Sequence, residues 1–186
     1  MILRSLMIAA WASAAMLTQL PLKAQAGEIH CHANENFNVA VREYDEEPGS
    51  QFAVTVLDGA EAPADCVFDA QGADIVIGEA GDPLWYGELT ADFLVTTRST
   101  GPEGDLVVFD LSTGEKVLDA PADEYDIEDG FISFWQRAGE ATSATCPEYA
   151  ENQANGFGSV ILEHVAFDLQ AKTLEKTGDT RCGATQ

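Results

Sequence analysis

The chain has 186 residues, of which 32 are acidic and 9 are basic, so its formal net charge is −23. A surface this negative repels nucleic acid and anionic membranes, which argues against both as partners. The length suits a single domain, and no apolar run beyond the N-terminus is long enough to predict membrane insertion.

Residues 1–26 have the three zones of a cleavable secretory signal peptide. Arg4 supplies the positive start, residues 6–17 form an apolar run, and Ala24-Gln25-Ala26 is a small-x-small cleavage site. Loss of Arg4 and Lys23 with this peptide leaves 7 basic residues against 32 acidic ones, a formal charge of −25. We therefore predict one exported domain, residues 27–186, that is periplasmic or extracellular.

The acidity has three interpretations, and the sequence leaves all three open. It can keep the surface hydrated in a salt-adapted host, attract a cationic protein or peptide, or bind calcium or another hard cation.

Four cysteines form an even set in an exported chain and predict two disulfides. We favour the sequential pairing Cys31–Cys66 and Cys146–Cys182, in which each bond closes a loop of about 36 residues and contributes roughly 4 kcal/mol. The crossed pairings stay open as alternatives. No close C-x-x-C pair is present to predict a zinc site, and oxidation removes the thiolate that a catalytic cysteine needs.

Apolar and polar residues alternate along most of the exported domain, which predicts β-strands. The first pair, residues 37–41 and 52–56, flanks a turn at 45–50 and is predicted to form a hairpin. Further strands are predicted, in chain order, at residues 66–68, 75–77, 84–89, 93–97, 106–111, 116–118, 131–135 and 160–169. Residues 106–111 are apolar almost throughout, so we expect this strand to be buried on both faces.

Residues 142–158 interrupt the strand pattern. They lack β-branched residues after Thr145, and they form either a short helix or a long loop pinned by Cys146. In the helical alternative, Pro147 lies in the first turn and Gly156 ends the helix.

Two segments of the chain are similar to each other. Residues 108–116, VFDLSTGEK, match residues 166–174, AFDLQAKTL, and each is an apolar strand followed by Asp-Leu and a tight turn. Asp110 is suited to cap its turn and Gly114 to adopt a positive φ. The first segment resembles the hairpin found in β-propeller blades, and this resemblance supports antiparallel hairpins.

We therefore predict an all-β fold, an antiparallel β-sandwich or small barrel-like domain built from hairpins. A partial array of propeller-like blades is the alternative. The exported domain is short for a closed propeller, which needs at least about four blades of roughly 40 residues.

Two sets of side chains are candidate metal ligands. His30 and His32 share one face of a strand, and with His164 they would form a copper or zinc site if the fold brought them together. Glu124, Asp126 and Glu128 line one face if their segment is extended, and would supply oxygen ligands to calcium. Exposed histidines beside a disulfide and a solvated acidic edge that prevents aggregation are the structural alternatives.

Paired aromatic residues occur in two predicted strands, at Trp85-Tyr86 and Phe134-Trp135. Because neighbouring side chains on a strand point to opposite faces, one ring of each pair is expected in the core. The other ring is then available for a ligand or protein contact, unless both faces are buried.

No catalytic or cofactor motif is present, and the Gly-x-Ser-x-Gly pattern of many hydrolases is absent. We predict no cofactor and a non-enzymatic binding protein, specifically an acidic binder or inhibitor of a cationic protein. A cation-binding secreted protein and a small secreted hydrolase are the two alternatives.

Overall fold

A computed structural model describes residues 27–186, and the predicted signal peptide lies outside the described residues. In the described part, twelve strands form three four-stranded antiparallel sheets, and one short helix interrupts them. The all-β prediction is confirmed. Within residues 27–186 the sheets are open layers of a sandwich-like domain and do not close into a barrel.

Each sheet consists of four strands that are consecutive in the chain. The strands of the first sheet are β1 (Ile29–Ala33), β2 (Phe37–Glu43), β3 (Ser50–Val56) and β4 (Ile75–Ile77). Those of the second sheet are β5 (Leu84–Leu89), β6 (Phe93–Arg98), β7 (Asp105–Asp110) and β8 (Glu115–Pro121). Those of the third sheet are β9 (Tyr125–Glu128), β10 (Phe131–Glu140), β11 (Gly158–Asp168) and β12 (Thr173–Thr185). Four-stranded sheets are also the unit of the propeller-blade alternative.

The second sheet lies between the other two and is covered on both faces. Its residues Leu94 and Val107 pack against the first sheet, whereas Val95 and Val108 pack against the third. All four side chains are fully buried. This two-sided burial was expected for residues 106–111 and explains why β7 is apolar at consecutive positions.

The three sheets repeat one local arrangement. A phenylalanine opens the second strand of each sheet, at Phe37, Phe93 and Phe131. The leucine that follows the third strand donates its backbone N–H to the carbonyl oxygen just before that phenylalanine. These bonds join Leu57 to Asn36 (2.8 Å), Leu111 to Asp92 (2.9 Å) and Leu169 to Gly130 (3.0 Å). The similarity of residues 108–116 and 166–174 is thus part of a threefold repeat.

Both predicted disulfides, Cys31–Cys66 and Cys146–Cys182, are present. Disulfides of this kind belong to proteins of oxidising, non-cytoplasmic compartments. The predicted strand at residues 66–68 is wrong, because the segment between β3 and β4 is irregular. The disulfide of Cys66 ties this segment to β1. The segment lies over the outer face of the first sheet, where the small side chains of Ala40 and Ala53 allow it to approach closely.

The segment between β10 and β11 contains the helix α1 (Tyr149–Ala154). The helical alternative is confirmed, and Gly156 follows the helix with a φ of 84°. The placement of Pro147 in the first turn is wrong, because Pro147 lies before the N-cap residue Glu148. The side-chain amide of Asn152 donates to the hydroxyl of Ser159 at 2.9 Å and holds the helix against β11. No helix in the described part of the chain has the length and hydropathy needed to cross a membrane.

Candidate functional site

His30 and His32 lie on β1, at an edge of the first sheet. The His32 ring stacks on Tyr86 of the second sheet, with ring centroids 3.6 Å apart and planes 10° from parallel. Burial lowers the pKa of His32, and the neighbouring His30 lowers it further. Trp85 and Glu43 complete a cleft of about 220 Å³ beside the two histidines. The His32 ring therefore joins two sheets by stacking.

His164 is on β11, in the third sheet, so the fold does not bring it to the other two histidines. Its ring contacts Trp135 edge-on at 5.0 Å, and its Nδ1 lies 3.2 Å from the hydroxyl of Thr177. Within residues 27–186, one group of three metal-ligating side chains is close enough to share an ion: Cys146, Glu148 and Cys182. Both cysteines of that group are in a disulfide.

The predicted acidic face exists on β9, an edge strand of the third sheet. Asp126 and Glu128 are exposed, whereas the alternate residues Tyr125 and Ile127 pack on the core. Glu124 precedes the strand and is also exposed. Like charges along this edge oppose pairing with a strand of another molecule. This is the solvated acidic edge that the sequence offers as the structural alternative to a calcium site.

The aromatic pairs differ in their placement. Phe134 is buried between the second and third sheets, and Trp135 lies on the opposite face of β10, as expected. Trp85 and Tyr86 are both half-buried, and the indole N–H of Trp85 donates to the carbonyl oxygen of Ser99 at 2.9 Å. Trp135 is also half-buried, and its ring contacts His164 and the guanidinium group of Arg181.

Sequence reasoning missed a cleft of about 690 Å³ between the turn ends of the second and third sheets. Phe93, Ile127 and Leu169 supply much of its apolar wall. Asp110 and Lys172 supply the charged groups, and they are in contact although 62 residues separate them.

The Asp110 carboxylate is almost fully buried and fully bonded. It accepts hydrogen bonds from the backbone N–H and the hydroxyl of Ser112, at 2.8 and 2.6 Å, and from the ammonium group of Lys172. Burial alone would raise the pKa of Asp110, but the bonds from Lys172 and Ser112 outweigh it and lower the pKa below its ordinary value. The cavity therefore contains an ion pair that links two sheets.

The repeat shows why a lysine is present here. Lys172 has a φ of 55° and occupies the place that Gly114, with a φ of 75°, has in the equivalent turn of the second sheet. A left-handed backbone is unfavourable for lysine by roughly 1 kcal/mol. The sequence did offer one signal for this contact, because Lys172 occupies the turn position that is glycine, Gly114, in the second sheet.

We expect Asp110→Asn to lower the free energy of unfolding by roughly 1–2 kcal/mol, because it removes a charge-assisted bond to a half-exposed lysine. The lowered pKa makes this contribution complete above the ordinary aspartate pKa of about 4, and it is lost as pH falls through the folded-state pKa. Urea unfolding at several pH values measures it.

Asp168→Asn is the matched control, because Asp168 has the same turn position and accepts only from the backbone N–H groups of Gln170 and Ala171. Losses of equal size and equal pH dependence in the two variants would contradict the role of Lys172.

The charge balance of the described residues is the strongest electrostatic feature. All seven basic residues contact other groups of the chain: five form ion pairs, and the guanidinium groups of Arg42 and Arg181 stack on aromatic rings. The ion pairs with Lys and Arg use six carboxylates: Asp82, Asp105, Asp110, Asp119, Asp123 and Glu163. The remaining 26 of 32 carboxylates have no Lys or Arg partner within residues 27–186.

Comparison of the chain with known protein families finds no match, and comparison with curated proteins finds no similar sequence.

Proposed function

We propose that this chain is an exported, non-enzymatic binding protein of the periplasm or cell exterior, and that its partner is a cationic protein or peptide. The observation that supports the proposal is the unneutralised charge of the folded domain. Its basic groups are engaged within the chain, whereas most carboxylates have no basic partner.

Such a charge distribution acts through the summed field of the protein. The carboxylates occur around all three sheets, including residues 45–47 and 58–61 of the first, Asp92 and Glu103 of the second, and residues 123–129 of the third. This field raises the rate at which a cationic partner encounters the domain, and salt screens it over about 8 Å at physiological ionic strength. Salt should therefore act mainly on the association rate.

The test is binding of the mature chain to an immobilised Lys-rich peptide, measured by surface plasmon resonance. We expect the association rate to fall by about tenfold or more from roughly 50 to 300 mM NaCl, with a much smaller change in the dissociation rate. A Glu-rich peptide of equal length is the control and should not bind.

Failure of the Lys-rich peptide to bind at low salt, together with stability that rises with salt, would support adaptation to a saline host instead. A single stoichiometric calcium site with submicromolar affinity in calorimetry would favour the cation-binding alternative.

A further inference from the structure

The outer face of the third sheet has a special position in the threefold repeat. In the first two sheets, the face that carries the opening phenylalanine is covered by the next sheet. Phe37 is 5% exposed against the second sheet, and Phe93 is 9% exposed against the third. The equivalent Phe131 is 43% exposed, and no further sheet covers it within residues 27–186.

Strand register defines the residues of this outer face. Phe131 and Trp135 of β10 point to the side opposite the buried Ile132 and Phe134. Residues paired across an antiparallel ladder share a face, so the β11 partners of β10 belong to it as well. The outer face therefore contains Phe131, Ser133, Trp135, Arg137, Leu162, His164, Ala166 and Asp168 from the two central strands.

A groove of about 310 Å³ runs along one end of the outer face, lined in part by Trp135, Leu162 and Glu124. The guanidinium group of Arg181 lies over the Trp135 ring at 4.4 Å. One face of the indole ring is therefore already in contact with a cation of the chain itself.

Carboxylates surround the apolar centre of the outer face. In the strand register, Asp126 lies opposite Ser133 and Glu128 lies opposite Phe131 on one side. On the other side, Glu175 lies opposite Ala166. With Glu124 and Asp168 the face carries five carboxylates, none in an ion pair with Lys or Arg of the described chain. Its two cations are Arg181, over the Trp135 ring, and Arg137, which is paired with Asp105 and Asp123. A symmetric dimer through this face would bring two such sets together, and like-charge repulsion opposes it.

We propose that the outer face of the third sheet is the docking surface for the cationic partner. Apolar side chains of the partner cover Phe131, Trp135 and Leu162 and so form a further layer on the third sheet. Its Lys and Arg side chains contact the carboxylates that surround these three residues. This assignment rests on the proposed function and names the surface that performs it.

The probe is a fluorescein-labelled peptide of about twelve alternating Lys and Leu residues, and the readout is the dissociation constant from fluorescence anisotropy. We expect Phe131→Ser to weaken binding about tenfold or more, since central aromatic contacts dominate interfaces. We expect the double variant Asp126→Asn/Glu128→Gln to weaken it by a similar factor. All these positions are exposed, and unchanged melting temperatures verify that the variants fold.

The matched control is Glu46→Gln/Glu47→Gln, which removes two charges from the exposed turn between β2 and β3. It should change affinity less than about threefold, because only the summed field is altered. A Lys/Ser peptide of equal charge should bind the original chain about tenfold more weakly than the Lys/Leu peptide.

The outcomes separate the two proposals. Equal losses for the two double variants, or equal affinity for the two peptides, would overturn the docking surface and leave the proposed function intact. No binding of either peptide at low salt would overturn both. Concentration-dependent dimerisation in sedimentation that Phe131→Ser abolishes would assign the outer face to a second copy and would also overturn the docking surface.

Discussion

Replacing Phe134 by alanine is expected to lower the free energy of unfolding by about 4 kcal/mol, the usual cost of truncating a buried phenylalanine. Phe134 is 2% exposed and lies in the cluster that joins the second and third sheets, together with Ile132 and Phe167. Both sheets would lose contacts around the cavity that alanine leaves. Urea unfolding of residues 27–186 with both disulfides intact measures the loss.

Phe131→Ala is the control, since it makes the same substitution on the same strand but on the outer face. We expect it to cost less than about 1 kcal/mol, because an exposed side chain loses little buried area. Similar losses for the two variants would mean that the outer face is packed like the inner one.

Removing the disulfide between Cys31 and Cys66 by a double serine variant is expected to lower the free energy of unfolding by about 4 kcal/mol, from loop entropy in the unfolded chain. Loss of this disulfide should also loosen one segment of the chain. The bond ties the irregular segment of residues 57–74 to β1, and little else of regular structure holds that segment. We therefore expect limited proteolysis to cut within this segment in the variant.

The double serine variant of Cys146 and Cys182 is the control. Its loop is of nearly equal length, with a sequence separation of 36 against 35, so the expected entropic loss is the same. Cleavage within residues 57–74 should be absent there. Equal cleavage in both variants would show that loss of global stability alone exposes the segment.

Local sequence determined most of the strands and hairpins, because each needs only a period-two pattern and a suitable turn. The long strand β12 was not among the strands predicted in chain order. The hairpin of β2 and β3, the doubly buried β7 and the turn capped by Asp110 follow from residues close together in the chain. The disulfide pairing was also accessible, because closing the two shorter loops is the economical choice. The strand predicted at residues 66–68 failed, because Cys66 is held by its disulfide and Phe68 by Arg42, whereas Val67 is exposed.

The stacking of the sheets was decided only by the tertiary structure. Alternation shows that a strand has an apolar face, but not which sheet covers that face. Phe37, Phe93 and Phe131 therefore look equivalent in the sequence, although the first two are buried and the third is exposed. The contact of Asp110 with Lys172 and the separation of His164 from His30 and His32 likewise depend on how the sheets are ordered in space. Such long-range contacts arise from side chains that meet only when the layers pack. A local pattern therefore does not identify the partner residue, even where Lys172 occupies a position that carries glycine in the second sheet.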